Sequence, residues 1–90
     1  MLGDVRHAGE DALDRLEPML TELRAVPELR EKKRGTFYRG SRAFIHFHED
    51  PTGLFADVRF REDFERFDVT TVAEQKKLVR DVHSALRVTS

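Results

Sequence analysis

One stretch, RAFIHFHEDPTGLFADVRF at 42–60, constrains the fold more than any other. Two alternating segments flank the turn sequence DPTG at 50–53. Asp50 can hold its own backbone there, Pro51 presets the turn angle and Gly53 can take positive φ. A hairpin is the expected result. Its register decides which side chains share a face, because a slip of one residue moves every side chain to the other side. With 50–53 as a four-residue loop, Glu49 opposes Leu54, Phe47 opposes Ala56, Ile45 opposes Val58 and Ala43 opposes Phe60. One face is then wholly apolar. The other pairs His48 with Phe55, His46 with Asp57 and Phe44 with Arg59. A three-residue loop with a glycine bulge would set Asp57 and Arg59 beside Phe47 and Ile45 instead. Burying unpaired charge costs several kcal/mol, so the four-residue loop is expected.

The rest of the chain arranges itself around this hairpin. All eight aromatic residues fall between Phe37 and Phe67, and both flanks are aliphatic. An aromatic sheet between two helices fits that split. Before it, Leu13, Leu16, Leu20 and Leu23 repeat at spacings of three and four, one apolar stripe of a helix. Pro18 interrupts the stripe. A kink near Glu17, or a loose first segment followed by a helix over 18–25, is expected there. After the sheet, Thr71 and Glu74 have the spacing of a capping box. Leu78, Val79, Val82, Ala85 and Leu86 then give the stripe of a helix over about 72–87. RGSR puts Gly40 first in a two-residue mirror-type turn joining a strand near 30–39 to one near 42–48. Between Phe60 and Val69 the period of two is lost, leaving a short helical turn or a brief edge strand at 66–69. The expected fold class is therefore α+β: one domain over 1–90, with 1–9 a loose tail. Its three- or four-stranded antiparallel sheet carries both helices on one face.

Composition narrows the function. The 90 residues hold no cysteine, which excludes a disulfide, a thiolate metal site or a thiol nucleophile. The start, MLGDVRHAGEDALD, has early acids and no apolar core, so it does not read as a signal peptide. No apolar run is long enough to cross a membrane. A cytoplasmic location is the corresponding expectation. The net charge is −1, against a dedicated nucleic-acid binder. The charge is uneven, however: residues 30–42 carry six basic side chains and one acid. REKKR followed by Phe37 and Tyr38 resembles a single-strand binding mix. The simpler reading is a solvated edge strand guarded by lysines.

The chemistry-bearing candidates lie on the polar face of the hairpin. His46, His48 and Asp57 supply two imidazoles and a carboxylate, enough for three ligands of zinc or iron(II). The competing reading is a plain cross-strand ion pair, with no third histidine on a neighbouring strand. The same face is expected to carry Phe37, Phe44, Phe55 and Arg59, and exposed aromatic patches mark partners. A protein partner, first of all a second copy of the chain, is thus the leading functional expectation, with zinc binding and hydrolytic activity the alternative. No serine stands beside a base, no glycine-rich phosphate loop is present, and catalytic residues are not assigned.

Several short motifs recur together: Val26 and Pro27 after the leucine-rich helix, then GTFYRGSR, then His46, His48 and Asp50, then Ala56, Asp57 and Val58. On these, residues 23–58 resemble a bacterial family of small domains described as luciferase-like, and short actinobacterial proteins with the same hairpin. The resemblance implies a hairpin of fixed form and no particular catalytic role. Ile45 stands where that family has a glycine, and FERFDVTT replaces its histidine-rich downstream segment.

Overall fold

The computed structural model describes residues 6–87. Among them are two helices and six strands: β1 Arg6–His7, α1 Glu10–Arg24, β2 Leu29–Lys33, β3 Thr36–Arg39, β4 Arg42–Asp50, β5 Gly53–Val58, β6 Glu65–Asp68 and α2 Val72–Arg87. The strands form one antiparallel sheet in the order β2-β3-β4-β5-β6, with β1 also paired to β4. The α+β class is as expected, with more strands than the three or four anticipated.

The β4–β5 register has the expected pairs: Glu49 with Leu54, His48 with Phe55, Phe47 with Ala56, His46 with Asp57 and Ile45 with Val58. The Asp50 carboxylate accepts from the Thr52 N–H at 2.7 Å, the Thr52 hydroxyl at 2.6 Å and the Gly53 N–H at 3.2 Å. Gly53 does not take positive φ. It is required for space, since a Cβ there would stand 2.3 Å from Thr70 Oγ1. Gly40 does take positive φ, +63°, in the turn between paired Arg39 and Arg42.

Both helices cover the face of the sheet that carries Ile45, Phe47, Ala56 and Val58. Leu16, Leu20 and Leu23 of α1 and Leu78, Val82 and Leu86 of α2 join these residues in one buried cluster. Each such side chain contributes roughly 1.5–3 kcal/mol by leaving water. The α1 helix runs unbroken through Pro18, rather than starting there. In α2 the capping box forms: Thr71 Oγ1 accepts from the Glu74 N–H, and Glu74 accepts from the Thr71 N–H. Gln75 is buried but donates to the Val69 carbonyl at 2.9 Å, so its amide is satisfied.

Three expectations are corrected. First, the strand expected over 30–39 is two strands, β2 and β3, joined by a turn at Arg34 and Gly35. Second, Phe37 and Phe44 belong to the core and not to the open face; their exposures are 0% and 3%. One extra residue explains both. Tyr38 pairs with Ala43 but Phe37 pairs with Ile45, so β4 gains a residue, Phe44, relative to β3. This bulge moves Phe37 onto the apolar side and turns Phe44 inward, where its ring meets Phe60 edge-on at 6.0 Å. Third, the tail expected over 1–9 is not loose throughout. Arg6 and His7 pair with Glu49 and His48, the Ala8 N–H donates to the Phe47 carbonyl, and the Gly9 N–H donates to Glu49 at 2.7 Å. Residues 1–5 lie outside the described residues. The ambiguous segment before Val69 resolves into an irregular connection and the edge strand β6.

Candidate functional site: a histidine–aspartate cluster on the open sheet face

Alternation along β4 and β5 sends His46, His48, Phe55 and Asp57 away from the helices. Here the side chains converge. His46 Nδ1 lies 2.8 Å from His48 Nε2, and Asp57 Oδ2 lies 3.2 Å from His48 Nε2 and 3.9 Å from His46 Nδ1. The arrangement fits one proton, on His48 Nε2, shared between the carboxylate and the His46 lone pair. His48 Nδ1, on the other side of the ring, is buried without a well-aligned hydrogen-bond partner, although the Arg6 backbone favours the protonated ring and so works against the burial that lowers its pKa.

Two residues that sequence reasoning passed over complete the cluster. His7, placed in the tail by its position, sits opposite His48 in β1 and stacks on it with centroids 4.8 Å apart. One ligand atom each from His7, His46 and His48 falls within 4.8 Å of the others. Arg66 on β6 pairs in register with Asp57 and grips it through two bonds, Nε to Oδ1 at 2.8 Å and Nη2 to Oδ2 at 2.9 Å. Phe64 lies against His46 at 4.6 Å, and the Arg59 guanidinium covers the same ring at 4.4 Å. A sequence signal for Arg66 existed: a carboxylate on a half-buried strand calls for a cationic partner on the next one. No comparable signal marks His7.

Electrostatics suit ligation. Burial, reinforced by the neighbouring imidazole, holds His46 below its ordinary pKa. Burial does the same for His48, against the pull of Asp57. Both rings are therefore neutral at neutral pH, with lone pairs available. For Asp57 burial alone would raise the pKa, but the hydrogen bonds and charge of Arg66 outweigh it and keep the carboxylate ionised.

Of the sequence-expected face, Phe55 and Arg59 remain beside the cluster, while Phe37 and Phe44 do not. His83 lies on α2, lining a groove of about 510 Å³ between the helices that contains none of the cluster residues. Of the basic run, Arg34 is neutralised by acids of α1. Arg34 pairs with Glu10, Asp14 and Glu17, while Arg24 pairs with Glu17 and with Glu31, which also accepts from the Gly35 N–H. Comparison with protein-family models, with curated proteins and with solved structures finds no match to this chain. No helix among the described residues is long and apolar enough to cross a membrane.

Proposed function

We propose that this domain binds a divalent transition metal, zinc by preference, through His7, His46, His48 and Asp57. The observation that carries the reading is the convergence of His46 Nδ1, His48 Nε2 and Asp57 Oδ2, with separations of 2.8, 3.2 and 3.9 Å. Donors of a tetrahedral zinc site with bonds near 2.0–2.1 Å stand about 3.3 Å apart, inside that spread. A cation takes the place of the shared proton. Arg66 orients the carboxylate, as partners of metal ligands commonly do. His7 supplies a further donor from the exposed side.

Protein purified without a histidine tag is expected to contain zinc by elemental analysis. Added zinc should raise the melting temperature, since at a hundredfold excess over Kd it adds about 2.7 kcal/mol of stability. His46→Ala should abolish both. Absence of metal together with absence of a thermal shift ends the reading.

A second copy of the chain as partner is the second reading. It is favoured by Phe55 and Phe64, half-buried rings beside the cluster on the open face. Light scattering on the same sample separates the two. A doubled mass that Phe55→Arg removes supports self-association, and a clean monomer at high concentration eliminates it.

A further inference from the structure

The groove between the helices is built differently from the histidine face. It holds about 510 Å³ and is lined by α1 and α2 alone. Its α1 side is Arg15, Pro18, Met19 and Glu22, at spacings of three and four, so these residues share one stripe. Its α2 side runs from Val72 to His83, about 16 Å at the rise of a helix. Met19, Gln75 and Val79 are buried and form the floor. Pro18 and Val72 are exposed beside them. Val72, at 64%, is the one large apolar side chain that stays exposed among the described residues, and it lies here. Pro18 sits in the interior of α1, where proline lowers helix stability. Both give the groove apolar surface that the fold leaves uncovered. Its charge is one-sided too. Arg15, Lys76 and Arg80 line it against a single acid, Glu22. None of these cations forms an ion pair with a described residue. The contrast within α2 is direct. Lys77, outside the groove, pairs with Asp81 four residues on, while Lys76 and Arg80 repeat that spacing with like charge. Like charges so spaced disfavour a helix. An anion beside them reverses the sign of that interaction.

We propose that this groove binds a free medium-chain fatty acid, with its hydrocarbon chain along Pro18, Met19, Val72 and Val79 and its carboxylate held by the cations of the rim. The volume falls within the range of small-ligand sites, which combine an apolar lining with a few polar groups that fix orientation. A groove that follows two helices suits a linear chain. A carboxylate accepts charge-assisted hydrogen bonds from arginine and lysine. The groove shares no residue with the histidine cluster, so the site does not depend on metal there.

The test is titration of the full chain with decanoate below its micelle-forming concentration, with EDTA present, followed by backbone amide NMR and by melting temperature. Binding should be saturable, raise the melting temperature and move the amides of 15–22 and 72–83 rather than those of β4 and β5. Acetate, the head without the chain, should not bind. Decyltrimethylammonium, the same chain with a cationic head, should bind at least about tenfold more weakly. Val72→Asp removes apolar surface and adds an acid to the rim. At the first position of α2 an acid favours the helix, so the fold should persist. This variant, and Lys76→Gln combined with Arg80→Gln, should each weaken decanoate binding by at least about tenfold, the scale of one charge-assisted bond. Should Val72→Asp fail to fold, the double glutamine variant decides alone. Lys77→Gln, outside the groove, should leave binding unchanged. His46→Ala should also leave it unchanged, which separates this site from the metal reading. Wild-type affinity in the groove variants overturns the proposal. So does equal affinity for the cationic amphiphile, or amide shifts centred elsewhere. Binding to phosphatidylglycerol vesicles without binding of monomeric decanoate overturns it in favour of a membrane surface. Groove amides that shift with protein concentration in the absence of ligand overturn it in favour of a second copy of the chain.

Discussion

The two faces of the β4–β5 hairpin are built from the same nine-residue strand and its partner, yet they follow different rules. On the covered face Ile45, Phe47, Ala56 and Val58 pack against two helices and make no polar bond through their side chains. On the open face every ring or carboxylate is engaged in a specific directional contact: His46 with His48, His48 with Asp57, Asp57 with Arg66, Phe64 with Arg59. One side stabilises by area and the other positions charge. Polar alignment on the open face is affordable because the covered face already supplies the folding energy.

The largest expected effect tests where that boundary runs. Phe37→Ala removes a ring that is fully buried. It should lower stability by about 3–5 kcal/mol in a denaturant melt, the usual cost of a phenylalanine-sized cavity. Phe55→Ala, on the open side, should cost about 1 kcal/mol. Equal losses at the two positions would mean that the faces are not distinct.

That pair of positions also shows what the sequence could reveal. The β4–β5 register was legible because two signals agreed: the DPTG turn and an alternation that left one side free of charge. The α2 boundaries were legible from the capping box and the leucine–valine stripe. Phe37 and Phe44 were not, because the bulge between them is a backbone event with no residue signature. A single inserted position at Phe44 reversed both side chains. His7 was hidden for another reason. A two-residue strand has no periodicity to read, and it is held by tertiary bonds from Ala8 and Gly9 to Phe47 and Glu49, 39 and 40 positions along the chain. The turn at Arg34 and Gly35 was obscured by the run of basic residues, which invited an electrostatic reading. Of those cations Arg34 is tied down by α1. Glu17, between Arg24 and Arg34, has its pKa lowered to about 2 by their hydrogen bonds. Such exposed pairs add little to stability.

A middle-sized effect is expected from Arg66→Leu. The Asp57 carboxylate is buried, and its two bonds to Arg66 are its strongest partners. Leaving a buried acceptor without its donor costs about 1–3 kcal/mol. Arg66 is itself 43% exposed, which puts the expected loss near the lower end, because water screens and replaces part of the interaction. The acid limb of the stability profile should also move to higher pH, since the main influence holding the Asp57 pKa down is gone. An unchanged acid limb would show that Arg66 does not govern Asp57.

The smallest expected effect is the dependence of stability on pH between neutrality and about pH 5, measured by denaturant midpoints in EDTA. Burial lowers the pKa of His46 and His48 from the ordinary value of 6.5. In that window the unfolded chain therefore binds more protons than the folded one, and stability falls as pH drops below 6.5. It levels off once the folded rings are themselves protonated. Asp57 acts in the same direction but lower down. Its folded pKa lies below the ordinary 3.8, so its contribution is present above that value and is lost as pH falls through the folded pKa. Replacing both His46 and His48 with Gln should flatten the upper step and leave the lower one. Phe37→Ala should shift the whole curve downward without changing its shape, because nothing on the covered face of the hairpin titrates. If the double histidine variant keeps the wild-type slope between pH 5 and 6.5, the open face does not hold its imidazoles in the neutral form, and the donor set proposed for zinc loses its electrostatic basis.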